Sequence, residues 1–182
     1  EPRFQAAFGE GINIAAVAKA LSEYQRTLRP EPTEFDAFLL GDTQALSDEA
    51  LQGLHLFRTK ARCMNCHTGQ MLTDGKMHNL NQTLAGRKWE DFGRYEITHN
   101  VDDWGKFKTA SLRNLSKTKP WFHHGLFVNL QGVVAMYNIG IREGIHKDAP
   151  AESHRPHLDP LIQPLNLSPE ERRAVTSFLE TL

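Results

Sequence analysis

Cysteine is nearly missing from this chain. Two thiols in 182 residues, three positions apart, leave no disulfide framework to build on, so Cys63 and Cys66 are one motif or nothing. No basic run stands out and the formal net charge is −1, which recommends no nucleic-acid partner. No apolar stretch approaches the roughly 20 residues that span a bilayer. Internal repeats and low-complexity segments are absent. The chain opens EPRFQAAFGEG, without an initiator Met or a signal-like segment, and the expectation is a processed product whose export signal is out of view.

What is present fits one folded domain over residues 1–182, with 40% hydrophobic and 24% charged residues. Four helices follow from pattern. Over about 12–28, Ile14, Val17, Ala18, Leu21 and Leu28 keep helical spacing until Arg29-Pro30. A second helix starts at the N-cap Ser47, with Asp48 and Glu49 in its positive first turn and Leu46 and Leu51 placed for a hydrophobic staple. Leu51, Leu54 and His55 continue one face toward Cys63. A third begins near Asn129, where Leu130, Val133, Val134 and Tyr137 form one stripe and Gly140 is the stop. The fourth opens on Ser168-Pro169-Glu170-Glu171, a capping box with Pro at the first position, and buries Ala174, Val175, Phe178 and Leu182. Residues 68–120 and 141–165 read as long ordered loops with one short hairpin around Tyr95 to Lys108. Loops of that length imply a function or a cofactor to pack against.

The two thiols sit in Cys63-Met64-Asn65-Cys66-His67. C-x-x-C-H is the spacing of c-type haem attachment: two sulfurs on one turn add across the haem vinyl groups, and the adjacent His67 meets the iron as proximal ligand. A redox dithiol would need a βαβ context, which is missing. A zinc site would need a paired H-x₃₋₅-H, and His154-x-x-His157 is one residue short. For the far side of the iron the candidates are Met71, Met77, Met136, Tyr137 and several histidines. The third helix is a better source than the short loop carrying Met71 and Met77. On it Tyr137 lies in the inward stripe and Met136 about 100° around the axis. Pattern alone leaves open a core tyrosine with a hydrogen-bonded hydroxyl.

With these residues in view, the chain resembles the bacterial dihaem cytochrome c peroxidases and the related MauG proteins, as their C-terminal haem domain. The blocks "ALSEYQRTL", "FDAFLLGDTQALSDEALQGLHLF", "CMNCHTGQMLTDGKMHNL", "GKFKTASLRNLSKTKPWFHHG", "NLQGVVAMYN" and "LDPLIQPLNLSPEERRAVTSFLETL" match in order. The resemblance implies a mainly α, cytochrome c-like haem domain with long ordered loops and little β, exported to the periplasm. It also implies one covalent haem c on Cys63, Cys66 and His67, passing electrons in hydrogen-peroxide-dependent oxidation. A second haem, on an N-terminal domain or another chain, would react with peroxide, and a redox protein would be the further partner. This chain has one C-x-x-C-H rather than two, so a stand-alone monohaem electron-transfer cytochrome is the alternative.

Counting from Phe122-His123-His124-Gly125, the family's distal methionine falls on Tyr137, which MauG-type proteins also carry as tyrosine; Met136 is the alternative ligand. A hard phenol oxygen favours oxidised iron where a soft thioether favours ferrous iron, so this haem is expected to have a low potential. The family's calcium site maps to the backbone carbonyls of Thr118 and Pro120, with a further ligand from the missing domain. His78 and His123 match positions near the haem that bond a propionate or buried water. Ala110, Trp121 and His124 depart from the usual Pro, Tyr and Asp or Asn, and Trp121 is either an aromatic packed on porphyrin or an electron relay. His55, His99, His146, His154 and His157 are expected at the surface or in loops.

Overall fold

The computed structural model describes residues 1–141 and 158–182. His146, His154 and His157 lie outside the described residues. Two compact units are present, Glu1–Glu31 and Pro32–Leu182.

The first unit holds α1 (Pro2–Phe8) and α2 (Ile14–Thr27). Asn13 caps α2 by accepting from the Ala16 amide at 2.8 Å. The apolar stripe expected on this helix exists, but it faces outward: Ile14 is 90% exposed, and Val17, Leu21, Tyr24 and Leu28 are exposed too.

The second unit is mainly α, as the sequence pattern implies. Its elements are α3 (Glu34–Leu39), α4 (Asp48–Arg58), β1 (Met77–Asn79), α5 (Tyr95–Thr98), β2 (Lys106–Lys108), α6 (Leu130–Asn138) and α7 (Pro169–Glu180). Short 3₁₀ turns occupy Cys63–Asn65, Val101–Asp103 and Leu115–Lys117. Caps set the boundaries where the sequence signals them. The Ser47 hydroxyl accepts from the Ala50 amide at 3.1 Å and Asn129 from Gly132 at 2.7 Å. Ser168 and Glu171 close a reciprocal capping box at 3.2 and 2.7 Å.

Two expectations need correction. The hairpin around Tyr95 to Lys108 is not there: Tyr95–Thr98 is helical, and β2 pairs antiparallel with β1, Met77 against Lys108 and Asn79 against Lys106. The partner strand is distant in sequence, so no local turn signal marks the pairing. The inward face of α4 is also different. Ala50, Gly53, Leu56 and Phe57 are buried, Leu51 and Leu54 are half-buried, and His55 is exposed. Gly53 lies on the buried face because only a residue without Cβ lets α7 approach so closely there.

The core forms where α4 crosses α7. Phe178 takes the centre, edge-on to Phe35 at 5.3 Å and to Phe57 at 5.2 Å between ring centroids. Leu182, Val175 and Phe57 are fully buried around it. At Gly53 the backbones nearly touch, and a Cβ there would run into the Ala174 carbonyl and the Phe178 Cβ. Main-chain bonds lock the end of α7: Phe35 donates to the Thr181 carbonyl at 3.2 Å and Leu115 to that of Leu182 at 3.0 Å.

Gly53→Ala must therefore push the two helices apart. We expect a loss of about 3 kcal/mol, the upper part of the range for overpacking, read as a lower denaturant midpoint. An unchanged midpoint would disprove the close crossing.

Candidate functional site

Helix α4 ends at Arg58, and Ala61 N–H returns to the Leu56 carbonyl at 2.9 Å, turning the chain at once. Arg62 then takes a left-handed conformation, φ 55, which costs about 1–2 kcal/mol for a residue with a Cβ. Its guanidinium donates to the carbonyls of Gln163 at 3.3 Å and Pro164 at 3.1 Å, bonds that hold the turn. The 3₁₀ turn Cys63–Asn65 follows, and His67 N–H donates to the Cys63 carbonyl at 2.9 Å. Both thiols and the imidazole thus project from one tight turn, and both cysteines are free.

The imidazole is oriented by the loop after it. His67 Nδ1 lies 3.1 Å from the Leu72 carbonyl. A carbonyl only accepts, so Nδ1 carries the proton and Nε2 keeps its lone pair for a metal. Burial lowers the His67 pKa, opposed only in part by the carbonyls of Leu72 and Ala110 and by Asp74. The ring is held neutral, the ligating form.

Each of the other groups is held in its uncharged form. Burial, with Cys66 beside it, pushes the Cys63 thiol up to about 12. Cys66 is raised by burial, then by Asp74 and Asp159, with Lys76 opposing. Tyr137 is raised by burial and by both thiols. Both sulfurs act on Tyr137, so the phenol of α6 lies within electrostatic range of the C-x-x-C-H turn, and all three side chains are half-buried. Asn138 fixes the end of that helix, accepting from Leu167 N–H at 2.7 Å and donating to the Leu167 carbonyl at 3.3 Å. The Phe122 ring stacks near Tyr137, 6.2 Å between centroids.

The other residues read from sequence lie apart. Met71 and Met77 are exposed; Met136 is half-buried. Trp121 Nε1 donates to the Leu115 carbonyl at 3.2 Å, and its ring packs against the core. Thr118 and Pro120 fall in an exposed turn after the Leu115–Lys117 helix. His123 stacks on Phe107, 3.6 Å between centroids and 7° between planes. His124 Nε2 is 3.0 Å from Gln82 Oε1, while its Nδ1 accepts from Leu126 N–H at 3.1 Å. His55 and His99 are exposed.

His78 departs from expectation. It does not offer a nitrogen to a propionate or to water, because both are taken by carboxylates: Nδ1 is 2.6 Å from Asp159 Oδ2 and Nε2 is 2.8 Å from Asp74 Oδ2. Burial would lower its pKa, but the hydrogen bonds to Asp159 and then Asp74 prevail and raise it. Asp74, despite burial, is pulled down to about 2 by His78, the Lys76 amide and the Thr109 hydroxyl. Its own amide donates to the Cys66 carbonyl at 2.7 Å, which ties this cluster to the motif. Ligand atoms of Cys66, Asp74 and His78 fall within 4.8 Å of one another. An imidazole donating from both nitrogens has no lone pair for a metal, so the cluster is an ion network. Sequence reasoning passed over Arg62, Asp74 and Asp159. Asp74, four residues before His78, was a readable local signal; Asp159 had none.

A family model described as di-haem cytochrome c peroxidase matches residues 1–44. The chain is 35% identical over its whole length to a methylamine utilization protein MauG of Methylorubrum extorquens, covering 48% of that protein. It is 34% identical to a cytochrome-c peroxidase IdrP2 of a Pseudomonas species, over 95% of this chain and 50% of that one. A crystal structure of a MauG-like protein associated with microbial copper homeostasis superposes with a TM-score of 0.79 at 28% identity, covering 98% of this chain and 57% of the other. The chain spans about half the length of the curated relatives it matches.

The ion network implies a definite pH response. His78, raised in the folded state, contributes fully below the ordinary histidine value and loses its share as pH climbs through the raised one. Asp74, lowered, contributes above the ordinary carboxylate value and loses its share as pH falls toward about 2. The thermal midpoint should therefore be highest from about pH 4 to about pH 6.5. His78→Gln should flatten the alkaline decline; superimposable profiles for the two proteins would exclude the network as its origin.

Proposed function

The chain belongs to the dihaem cytochrome c peroxidase/MauG family, and from that premise we propose that it is the electron-transfer haem domain of a hydrogen-peroxide-dependent oxidoreductase. The observation that carries this reading is the C-x-x-C-H turn itself, which projects both thiols and an imidazole oriented through Nδ1 from one tight turn. Two thiols, a neutral imidazole and a half-buried phenol are a donor set that suits one c-type haem. Cys63 and Cys66 would anchor it, and His67 and Tyr137 would ligate its iron, with Met136 as the alternative to Tyr137.

Bound there, haem c supplies one-electron chemistry at iron. The protein's part is orientation, exclusion of water and control of charge. Leu72 fixes the His67 tautomer through Nδ1. The α4–α7 crossing supports the turn, and the donors are half-buried. Held as thioethers, Cys63 and Cys66 would no longer be able to ionise beside Tyr137. Phenolate oxygen is a hard donor and favours the oxidised metal.

The peroxide-reacting centre belongs to a second haem domain, carried by the rest of a longer polypeptide or by another chain. The exposed apolar stripe of α2 supports such a partner, since a contiguous apolar face on a soluble protein ordinarily meets another surface. A redox protein delivers or receives electrons, and the setting is the bacterial periplasm. Calcium at the Thr118 and Pro120 carbonyls completes the proposal. No helix among the described residues is long and apolar enough to cross a membrane.

The single C-x-x-C-H favours one further reading, a stand-alone monohaem electron-transfer cytochrome. Haem content and peroxide response separate the two. Two haems in the native product and a shifted Soret band with hydrogen peroxide fit the enzyme; one haem and no response fit the cytochrome.

Tyr137→Phe tests the ligand. We expect the ferric spectrum to change from six-coordinate low-spin to high-spin and the potential to rise. An unchanged low-spin spectrum would return the sixth position to Met136.

A further inference from the structure

The cluster Asp74–His78–Asp159 is more than the His67 site needs for its shape. Its side chains are only 11%, 11% and 19% exposed. Both imidazole nitrogens face carboxylate oxygens, at 2.6 and 2.8 Å. Ionised carboxylates only accept, so His78 is an imidazolium, and the three groups together carry one net negative charge. Backbone bonds hold each member in place. His78 lies on β1 opposite Phe107 of β2, Asp159 N–H donates to the Asn79 carbonyl at 2.9 Å, and Asp74 N–H donates to the Cys66 carbonyl at 2.7 Å.

That charge lies beside the donors. Ligand atoms of Cys66, Asp74 and His78 fall within 4.8 Å of one another, and Asp74 and Asp159 act on Cys66 against Lys76. Where water is scarce, such interactions are weakly screened.

We propose that Asp74, His78 and Asp159 are positioning residues that set the redox bias of this site: a fixed net negative charge beside Cys66 that favours the oxidised form of an iron held by His67. The proposal rests on the haem reading above. It differs from a plain structural brace, which would change stability without giving the redox shift a sign. It differs also from a metal site on Cys66, Asp74 and His78, for which His78 has no free nitrogen.

The test is a spectroelectrochemical titration of the haem-loaded chain and two single variants. Asp159→Asn removes a negative charge and should make the haem easier to reduce, a several-fold rise in the ferrous fraction at fixed potential. His78→Gln removes the positive charge, keeps a hydrogen-bonding side chain, and should shift that fraction several-fold the other way. Asp74→Asn serves as a second carboxylate variant, with the sign of Asp159→Asn, should that protein fail to load haem. Opposite shifts with haem content intact support the proposal. Shifts of one sign, or none, overturn it while leaving the haem reading standing. Failure of the unaltered chain to bind haem covalently would overturn both.

Discussion

The crossing of α4 over α7 at Gly53 governs the geometry of everything after it. Contact at the level of the backbone lets Phe178 reach Phe57 on α4 and Phe35 on α3 together. That triple contact fixes the axis and the last turn of α4, hence where the chain must turn into Cys63. A side chain at position 53 would raise one helix off the other and carry the C-x-x-C-H turn with it. The site is therefore built outward from a helix pair rather than inward from the loops that surround it. The strain at Arg62 is tolerated because its guanidinium binds the 163–164 carbonyls just ahead of α7.

Burial then decides the chemistry. Four groups that titrate in water, Cys63, Cys66, His67 and Tyr137, are all shifted toward their neutral forms, and desolvation is the leading cause in each. Neutral thiols and a neutral imidazole with a free Nε2 suit covalent attachment and ligation. They suit a redox dithiol poorly, because that chemistry needs a low thiol pKa. Near them Asp74, His78 and Asp159 stay charged because each ion meets an opposite one within hydrogen-bonding distance.

Legibility in the sequence followed the range of the interactions. The helices starting at Ser47, Asn129 and Ser168 could be read because their caps act over three residues, and each cap bond is present. The position of Tyr137 on α6 could be read because a helical stripe is local, whereas its role as a ligand rests on the resemblance. The inward face of α4 was misjudged because its closest contact is made by a glycine, which carries no hydropathy signal. The β1–β2 pair was misplaced because its strands meet across distant sequence. His78 looked like a donor to a cofactor, whereas its partner Asp159 comes from a far segment that no spacing rule links to it. The stripe on α2 was legible as a stripe, but where it faces depends on what else is beside it.

Two features of separate origin bear on the electron affinity of the proposed centre, and they act in one direction. Tyr137 offers a hard oxygen where a soft sulfur would favour the reduced metal. The carboxylate-rich cluster beside Cys66 adds a net negative charge near the C-x-x-C-H turn. One works through ligation and the other through space, so neither requires the other. A site designed only to relay electrons from a high-potential donor would gain from a softer ligand or a compensating cation. The nearest cation outside the cluster with any effect on Cys66 is Lys76, which only opposes the two aspartates. The proposed hard ligation and a carboxylate-rich cluster that Lys76 opposes only in part are together the arrangement expected of a centre that rests oxidised, rather than one that accepts electrons readily.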